Sequence, residues 1–331
     1  MAEPVTSSAP KFEVTSLGES LIRLSVGVGQ RLSNARTLDV HVAGAESNVC
    51  AALAGIGRRS GWVSRVPDNP LGRLVLRRAK ECGIDVEHVV LSPHGRMGTY
   101  FIELATPPVP TRVTYDRAGS AFTQFQTSEV DWESLLDTRI LHLTGITPAL
   151  SPSCRNLVAQ AIERAKERGV LVSFDVNYRV RLWSSAQDAA RVLRPLIEDV
   201  DLLLCGKKDA VQLFGLPQDD KEEAQLLDGL QALTKAKHVV VSLGKDGAIA
   251  RSGGSTLRQP AISVSVMDRI GAGDAFAAGV IDGLLDGSLE QGLITGTALA
   301  ALALSQHGDI VTANREDVTE LVNGVGQEVV R

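Results

Sequence analysis

The sequence lacks the cysteine pairs, the long apolar runs and the excess of basic residues that mark several common protein classes. Its four cysteines form no CxxC pair and no spacing suited to zinc, which favours reduced thiols in a cytoplasmic protein. The longest apolar run, near residues 294–304, is shorter than the ~20 residues that a membrane span requires. Lysine and arginine total 34 against 39 acidic residues, so we expect neither nucleic acid nor a membrane as a partner.

The composition that remains is that of an ordinary globular enzyme. Residues 1–10 are polar and contain proline, and they lack the apolar core of a signal peptide, so we expect a disordered tail there. Residues 11–331 are long enough to bury a sizeable core, and we expect them to form the folded domain.

Short β-rich runs alternate with longer amphipathic stretches along most of the chain. Such alternation implies parallel strands joined by right-handed crossovers, so we predict a doubly wound, mainly parallel α/β sheet. The predicted strands are 11–17, 61–65, 140–143, 170–175, 201–205 and 238–242, with a further strand-like run at 261–266. The predicted helices are 48–57, 71–82, 153–168, 186–197, 209–214 and 222–235.

One part of the pattern does not fit this sheet. Residues 100–105 and 111–115 alternate in polarity like a half-exposed hairpin, which cannot bury both of its faces. We expect this hairpin to join residues 38–42 in a small separate sheet that covers the active site, with strands from about 20–43 and 97–118. The exposed sheet is also a candidate surface for homo-oligomer formation.

The sharpest motif is Asp-Arg-Ile-Gly-Ala-Gly-Asp-Ala-Phe at residues 268–276, before a helix predicted to end near residue 285. Gly271, Ala272 and Gly273 leave backbone N–H groups bare at the helix N-terminus, where the helix dipole also favours an anion. Asp274, beside a bound phosphate, can accept the proton of an attacking alcohol as a catalytic base.

Two plainer interpretations of this motif stay open. In the first, Asp274 is only a carboxylate in the first turn of the helix, where it interacts favourably with the helix dipole. A Rossmann dinucleotide turn, as in an NAD-dependent dehydrogenase, is opposed by Phe276, which stands where the third glycine belongs. The chain has no G-x-x-x-x-G-K-[ST] sequence, which excludes a P-loop kinase as far as motifs decide.

A second motif, Ala-Gly-Ala-Glu-Ser-Asn at residues 43–48, follows a predicted strand. Gly44 and Ala45 permit close approach of a ligand to the backbone, and Asn48 offers a donor and an acceptor together. The alternative is an ordinary strand-to-helix turn capped by Asn48.

Taken in this order, the two motifs resemble the ribokinase-like (PfkB) family of sugar kinases over residues 12–312. Further motifs are similar to those of the 2-keto-3-deoxygluconate kinases in that family. These motifs are Gly-Thr-Tyr at 98–100, Tyr-Asp-Arg-Ala-Gly-Ser-Ala at 115–121, His-Leu-Thr-Gly-Ile at 142–146, Asp-Val-Asn-Tyr-Arg at 175–179 and Leu-Trp-Ser at 182–184.

The resemblance implies a sugar-acid site and an adjoining ATP site that also requires Mg²⁺. The implied sugar-acid residues are Gly44, Ala45, Asn48, Tyr100, Tyr115, Arg117, Ile146, Arg179 and Asp309. The implied ATP residues are Asn177, Arg179, Ser242, Gly244, Lys245, Gly247, Ala248, Gly271 and Gly273. Guanidinium groups suit a carboxylate, although Arg117 and Arg179 could be surface arginines and the two tyrosines simple packing residues. Residues 242–248 alone would indicate only a turn.

Two departures from the family pattern stand out. Gly206-Lys207-Lys208-Asp209 occupies the place of the family's Asn-x-x-Glu motif, which is linked to Mg²⁺, so no metal ligand is assigned. Asp116 stands where the 2-keto-3-deoxygluconate kinases often carry a second aromatic residue.

We therefore expect a cytoplasmic, ATP-dependent kinase that phosphorylates the terminal primary hydroxyl of 2-keto-3-deoxygluconate. The alternatives within the family are a fructokinase, a ribokinase and a 5-dehydro-2-deoxygluconokinase. From another class, the alternative is a non-catalytic sugar-acid sensor, which would have no need of a base beside the phosphate site.

Overall fold

The computed structural model describes residues 9–105, 108–219 and 223–324, so residues 1–8 of the predicted tail lie outside it. The strands are β1 (Phe12–Leu17), β2 (Leu21–Val26), β3 (Asp39–Ala43), β4 (Ser60–Val63), β5 (Arg65–Pro67), β6 (Val90–Ser92), β7 (Thr99–Glu103), β8 (Arg112–Asp116), β9 (Thr138–Thr144), β10 (Leu171–Asp175), β11 (Leu202–Gly206), β12 (His238–Ser242), β13 (Ala248–Ser252) and β14 (Ser255–Gln259). The helices are α1 (Ala45–Gly55), α2 (Pro70–Glu81), α3 (Trp132–Leu135), α4 (Thr147–Leu150), α5 (Pro152–Glu167), α6 (Ala186–Ile197), α7 (Lys207–Phe214), α8 (Glu223–Gln231), α9 (Ala272–Leu285), α10 (Leu289–Leu304) and α11 (Arg315–Val322).

The larger sheet has the order β14-β13-β12-β11-β10-β9-β1-β4 in the described residues. Neighbouring strands from β4 to β12 run parallel, and the hairpin of β13 and β14 adds an antiparallel edge. Parallel strands buried on both faces read as apolar runs, which is why this part of the sheet could be predicted from the sequence.

Side chains of the central strands alternate between two hydrophobic cores, one on each face of the sheet. Leu141 and Leu143 of β9 pack on one face with α5, α6 and α8. Ile140 of the same strand packs on the other face with α1, α9 and α10. Helices on both faces confirm the predicted doubly wound fold.

Helices α9 and α10 lie unusually close together because glycine removes the side chains between them. A Cβ on Gly279 would lie 2.3 Å from the backbone nitrogen of Gly296, and one on Gly283 would lie 2.2 Å from that of Gly292. Such backbone contact leaves little room for α9 to shift along its neighbour. The N-terminus of α9, which carries the sharpest motif, is therefore set on a rigid support.

The smaller sheet has the order β3-β2-β7-β8, which confirms that the predicted hairpin joins the segment near residue 40. We call this sheet the lid. Strand β2 lies at its centre, antiparallel to β3 and parallel to β7. The lid covers the carboxyl end of the larger sheet.

The strand predicted at residues 261–266 is wrong. The chain leaves the sheet after β14 and crosses toward α9, and the Met267 N–H donates to the Leu304 carbonyl (2.8 Å) instead of to a strand. Within the described ranges, no helix has both the length and the apolar character needed to cross a membrane.

Candidate active site

A cavity of about 290 Å³ lies between the lid and the carboxyl ends of the parallel strands. Ligand sites of open α/β sheets are expected at this edge. Its walls are formed by the turn after β1, the start of α1, the lid, the segments after β9 and β10, and the N-terminus of α9. Every sugar-acid residue implied by the sequence lines it: Gly44, Ala45, Asn48, Tyr100, Tyr115, Arg117, Ile146, Arg179 and Asp309.

The turn into α9 is shaped to expose backbone donors. Gly271 is the N-cap, with a left-handed φ of 85°, and a Cβ there would lie 1.9 Å from the carbonyl oxygen of Asp309. The first helical hydrogen bond runs from the Ala275 N–H to the Gly271 carbonyl (2.9 Å), so the N–H groups before it are not used by the helix. The space beside Gly273 is open. The turn can therefore hold an anion.

Asp274 lies in the first turn of α9, with 8% of its surface exposed. The amide Nδ2 of Asn48 donates to its Oδ2 at 2.7 Å, and the Oδ1 of Asn48 accepts from the Gly44 N–H at 3.2 Å. Burial raises the pKa of Asp274 to about 7, and it outweighs the opposing effects of Asn48 and Arg179. A carboxylate that gains and releases a proton near neutral pH suits general base catalysis.

The lid contributes a cation that is already engaged by an acid. Arg117 is buried, and its Nε donates to Glu19 Oε2 at 2.9 Å, while Nη2 donates to the same oxygen. Ser120 donates to the other oxygen of Glu19. The Tyr115 ring lies 5.8 Å from the Arg117 guanidinium and 5.6 Å from the Tyr100 ring. Among the described residues, Nη1 of Arg117 has no hydrogen bond, so that arm can meet a ligand.

The floor of the cavity is acidic. Burial and the nearby charges of Asp274 and Asp209 raise the pKa of Asp175 to about 7. Asp209 accepts a hydrogen bond from the Tyr178 N–H at 3.0 Å, and burial raises its pKa too. Arg179 is exposed above these carboxylates and lines the same cavity. Carboxylates outnumber arginines in the lining of the first cavity, and a bound cation would offset this excess of negative charge.

Asn177 adds an unsatisfied acceptor to this floor. It has a positive φ of 41°, and its N–H and Nδ2 groups both donate to Asp175, at 3.1 and 3.2 Å. Its Oδ1 is buried and has no hydrogen-bond partner among the residues that the structure describes. Buried amide oxygens are rarely left without a partner, so a ligand or its water shell is expected there. Within the described ranges, no group of three or more His, Cys, Asp or Glu side chains is arranged to hold a metal ion by itself.

Glu46 is a fully buried acid that the sequence reasoning missed. Its Oε1 accepts from the hydroxyls of Thr144 (2.7 Å) and Thr147 (2.8 Å). A Cβ on Gly18 would lie 2.2 Å from its Oε2, so the glycine makes room for the carboxyl group. Burial raises the pKa of Glu46, which lines the cavity next to Asn48.

A second cavity of about 440 Å³ adjoins the first at Ser242, Arg269 and Gly273. One side has glycine-rich backbone at Gly244 and Gly247, and the rest is largely apolar. Its apolar lining includes Ala261, Ile262, Val264, Val266, Phe276, Ala300, Ala301 and Leu304. An elongated ligand with a flat apolar group and an anionic tail fits this space, with the tail toward the turn of α9.

The structure brings the implied ATP residues to these two cavities, with one exception. Asn177, Arg179, Ser242, Gly271 and Gly273 line the first, and Ser242, Gly244, Lys245, Gly247, Ala272 and Gly273 line the second. Ala248 begins β13 with its side chain in the core and lines neither cavity.

The site residues that sequence reasoning missed are Glu19, Glu46, Arg269 and Arg23, which is buried within lid strand β2. Glu19 follows Gly18, and Glu46 lies within the motif at residues 43–48, yet neither position in the sequence indicates a buried side chain. Arg23 gives the clearest signal, because it is a charge within the otherwise apolar run of β2.

The chain is similar to known proteins over most of its length. It matches the model of the pfkB family carbohydrate kinases over residues 11–316. It is 36% identical over 313 residues to the 2-dehydro-3-deoxygalactonokinase of Haloferax volcanii, with 94% of this chain and 97% of that one covered. It is 32% identical to the 2-dehydro-3-deoxygluconokinase of Bacillus subtilis, with 91% and 92% covered.

Among solved structures, the 2-dehydro-3-deoxygluconokinase of Thermotoga maritima superposes with a TM-score of 0.90 at 30% identity. The match covers 95% of this chain and all of that one. The family match spans both cavities and the motif at the start of α9, and it agrees with the resemblance found in the sequence. The protein described here belongs to the pfkB family of carbohydrate kinases, which are phosphotransferases.

Proposed function

We propose that the protein transfers the γ-phosphoryl group of ATP to the terminal primary hydroxyl of 2-keto-3-deoxygluconate, giving 2-keto-3-deoxy-6-phosphogluconate. The observation that carries this proposal is Asp274, a buried carboxylate that lines the first cavity, is held by Asn48 and directly follows Gly273, where the two cavities meet. Relatives named as kinases of 2-dehydro-3-deoxy sugar acids support the choice of a sugar acid.

Carbohydrate kinases of this family use ATP with Mg²⁺, and the residues present fit both. Gly244, Lys245 and Gly247 border the second cavity, where glycine lets backbone amides approach phosphate oxygens. The unpartnered Oδ1 of Asn177 and the carboxylates of Asp175 and Asp209 would hold the water shell of the metal. Bound Mg²⁺ would supply positive charge that offsets the negative charge developing on the phosphate oxygens.

Compared with the family's Asn-x-x-Glu motif, Asp209 has a shorter side chain and Gly206 has none. Hydrogen-bond acceptors nevertheless remain in this part of the first cavity. A Cβ on Gly206 would make ordinary contacts with Asp209 Cγ (3.7 Å) and Ser242 Oγ (3.8 Å), and Gly206 itself lines the first cavity. Asp209 keeps a carboxylate here, and Asn177 supplies the amide oxygen that Gly206 lacks.

The chain's own groups then divide the work of phosphoryl transfer. Asp274 accepts the proton of the sugar hydroxyl as that oxygen attacks, and a positioned base of this kind contributes roughly 10²–10⁴-fold to the rate. The backbone N–H groups at Ala272 and Gly273 donate to the oxygens of the group in transfer. Asn48 holds the carboxylate of Asp274 in place at the wall of the first cavity.

The carboxylate of the substrate needs a cation at the other end of the first cavity. Arg117 offers its free Nη1 there, beside the rings of Tyr100 and Tyr115. Arg179 is nearer to the acidic floor, where it balances Asp274, Asp175 and Asp209. We therefore assign recognition of the sugar acid to Arg117 first and to Arg179 second.

A second candidate substrate is the epimer 2-keto-3-deoxygalactonate. The relative from Haloferax volcanii, which is named for that sugar acid, shares 36% of its residues with this chain. Both epimers carry the carboxylate and the primary hydroxyl on which the arrangement depends.

A coupled assay of ADP release tests the proposal with purified protein, ATP and Mg²⁺. The panel contains 2-keto-3-deoxygluconate, 2-keto-3-deoxygalactonate, 5-dehydro-2-deoxygluconate, fructose and ribose. We expect the highest kcat/KM with one of the two 2-keto-3-deoxy acids. A preference for fructose or ribose, or for 5-dehydro-2-deoxygluconate, would overturn the substrate assignment. No turnover of any member would favour the sensor interpretation.

A further inference from the structure

Arg23 is a fully buried charge in the middle of the lid strand β2, flanked by Ile22 and Leu24. Moving a guanidinium out of water costs several kcal/mol unless its partners are well placed. Packed apolar residues at such a position are often as stable as a buried ion pair. Stability alone therefore does not explain a buried arginine in the lid, and its contacts indicate its role.

Its two terminal nitrogens reach two different segments of the larger domain. Nη1 donates to Asp309 Oδ1 at 2.7 Å, in the segment after α10, and Nη2 donates to Asp268 Oδ2 at 2.5 Å, just before α9. The hydroxyl of Tyr100, on the next lid strand, donates to the other oxygen of Asp309. Two lid strands are thus tied to two segments of the domain through one guanidinium group.

Both of these aspartates help to shape the turn that exposes the donors of α9, Asp268 through its carboxylate and Asp309 through its backbone carbonyl. Asp268 Oδ1 accepts from the Ile270 N–H at 3.1 Å, which fixes the chain one residue before Gly271. The carbonyl of Asp309 occupies the space where a Cβ on Gly271 would stand. Asp268 Oδ2 also accepts from the Gly308 N–H at 3.4 Å, which links the two segments to each other.

We propose that Arg23 is a positioning residue that fixes the distance between the sugar-side groups of the lid and the phosphoryl-binding turn of α9. The proposal deepens the proposed function and rests on it for the roles of the lid and of Asp274. Arg23 does not line the first cavity, so it acts through Asp268, Asp309 and Tyr100. A misplacement of about 1 Å between reacting groups can cost about 100-fold in rate.

This role predicts which kinetic constant should respond. Loss of the link would leave each ligand its own contacts, so the KM values for ATP and the sugar would change little. The hydroxyl and the phosphoryl group would be aligned less often, so kcat would fall. A residue that merely stabilised the fold would reduce the amount of folded protein and leave the kcat of folded molecules alone.

The test variant is Arg23→Lys, with Arg58→Lys as its matched control. Lysine keeps the charge but, lacking the planar fork, cannot bridge two carboxylates in the same geometry. Arg58 is a partly buried arginine that also joins carboxylates, Asp282 at 2.7 Å and Asp286 at 2.6 Å, and it lies outside both cavities. Each variant is first checked for a cooperative melting transition, and kcat and KM are measured with whichever panel carbohydrate the wild type phosphorylates fastest.

For Arg23→Lys we expect kcat to fall by about 10–100-fold, with both KM values within about threefold of wild type. Arg58→Lys should keep kcat within about twofold. Asp268→Asn removes one anchor while the cation keeps its pair with Asp309, so it tests the same link if Arg23→Lys does not fold. We expect Asp268→Asn to lower kcat by a similar factor, and the double variant Arg23→Lys/Asp268→Asn to fall no further than the worse single variant.

An unchanged kcat in folded Arg23→Lys or Asp268→Asn, or a fall equal to that of Arg58→Lys, would overturn the positioning role. So would effects that multiply in the double variant. Because the substrate is chosen by the wild type's own activity, a wrong sugar acid would contradict the proposed function without touching this inference.

Discussion

Helix α9 carries two buried aspartates, Asp274 in its first turn and Asp282 near its last, and their surroundings differ in one respect. Asp282 is held by Arg58 (2.7 Å) and by Arg315 (2.6 Å). Although burial alone would raise the pKa of Asp282, hydrogen bonds from these arginines hold it below its usual value. Asp274 has one amide partner and no arginine within hydrogen-bonding distance, and burial raises its pKa to about 7.

The two ends of the helix thus show how the same residue type serves two purposes. At one end, charges are paired and lie outside both cavities, which is the pattern of a structural ion cluster. At the other end, carboxylates outnumber their cations around an open cavity, which is the pattern expected of a catalytic site. Arg23 lies between these cases, because both of its terminal nitrogens are paired with carboxylates, yet one partner, Asp309, lines the first cavity.

The largest expected effect comes from removing the underpaired carboxylate. Asp274→Asn should lower kcat by about 10²–10⁴-fold, because the sugar hydroxyl loses its proton acceptor. Binding of ATP, measured by isothermal titration calorimetry, should stay near the wild-type value, since the second cavity is unchanged. Near-normal turnover in this variant would mean that Asp274 is not the base.

A smaller effect is expected at the lid, where Arg117 is paired with Glu19 through Nε and Nη2 and offers Nη1 to a ligand. Arg117→Ala should lower kcat/KM for the preferred sugar acid by about 10–100-fold, as expected for loss of a charge-assisted hydrogen bond of about 1.5–3 kcal/mol. A neutral sugar that the enzyme accepts should lose far less.

The control for Arg117→Ala is the double variant Arg117→Ala/Glu19→Gln, which leaves no unpaired charge behind. It should show the same loss of preference for the acid. If kcat/KM falls equally for the acid and the neutral sugar in both variants, Arg117 does not recognise the carboxylate of the substrate.

The smallest effect on turnover is expected at the paired end of α9. Asp282→Asn should keep kcat within about twofold of wild type. It should lower stability by about 1–3 kcal/mol, because Arg58 and Arg315 lose a shared partner, with a drop of about 2–4 °C in melting temperature per kcal/mol. A large fall in kcat for Asp282→Asn, with the folded fraction unchanged, would contradict the distinction between a structural aspartate at Asp282 and a catalytic one at Asp274.

Much of the fold was predictable because its signals are local. Apolar runs between amphipathic helices indicate the parallel sheet, and Gly271–Gly273 with Asp274 indicate an anion site at a helix start. The apolar pattern of residues 261–266 predicts a strand, which is wrong, because its apolar residues line the second cavity instead. Ala248 was placed at the ATP loop, but the register of β13 turns it into the core.

The rest of the site depends on contacts between distant parts of the chain. Arg23 and Asp268 are 245 residues apart, and Arg117 and Glu19 are 98 apart. No periodicity or short motif relates such pairs. A charged residue within an apolar strand, as at Arg23, indicates that a partner exists but not which one it is.

The most direct test of the central claim is the pH dependence of kcat/KM for the preferred sugar acid, which reports the ionisations of the enzyme before that substrate binds. A base must be ionised to accept a proton, so with the pKa of Asp274 raised to about 7, kcat/KM should rise with pH through about 7 and then level off. The residual activity of Asp274→Asn should lack this inflection, whereas Asp175→Asn should keep it at a lower pH, because a neighbouring negative charge is removed. A wild-type kcat/KM that is constant across this range, or an unchanged inflection in Asp274→Asn, would contradict the assignment of Asp274 as the base.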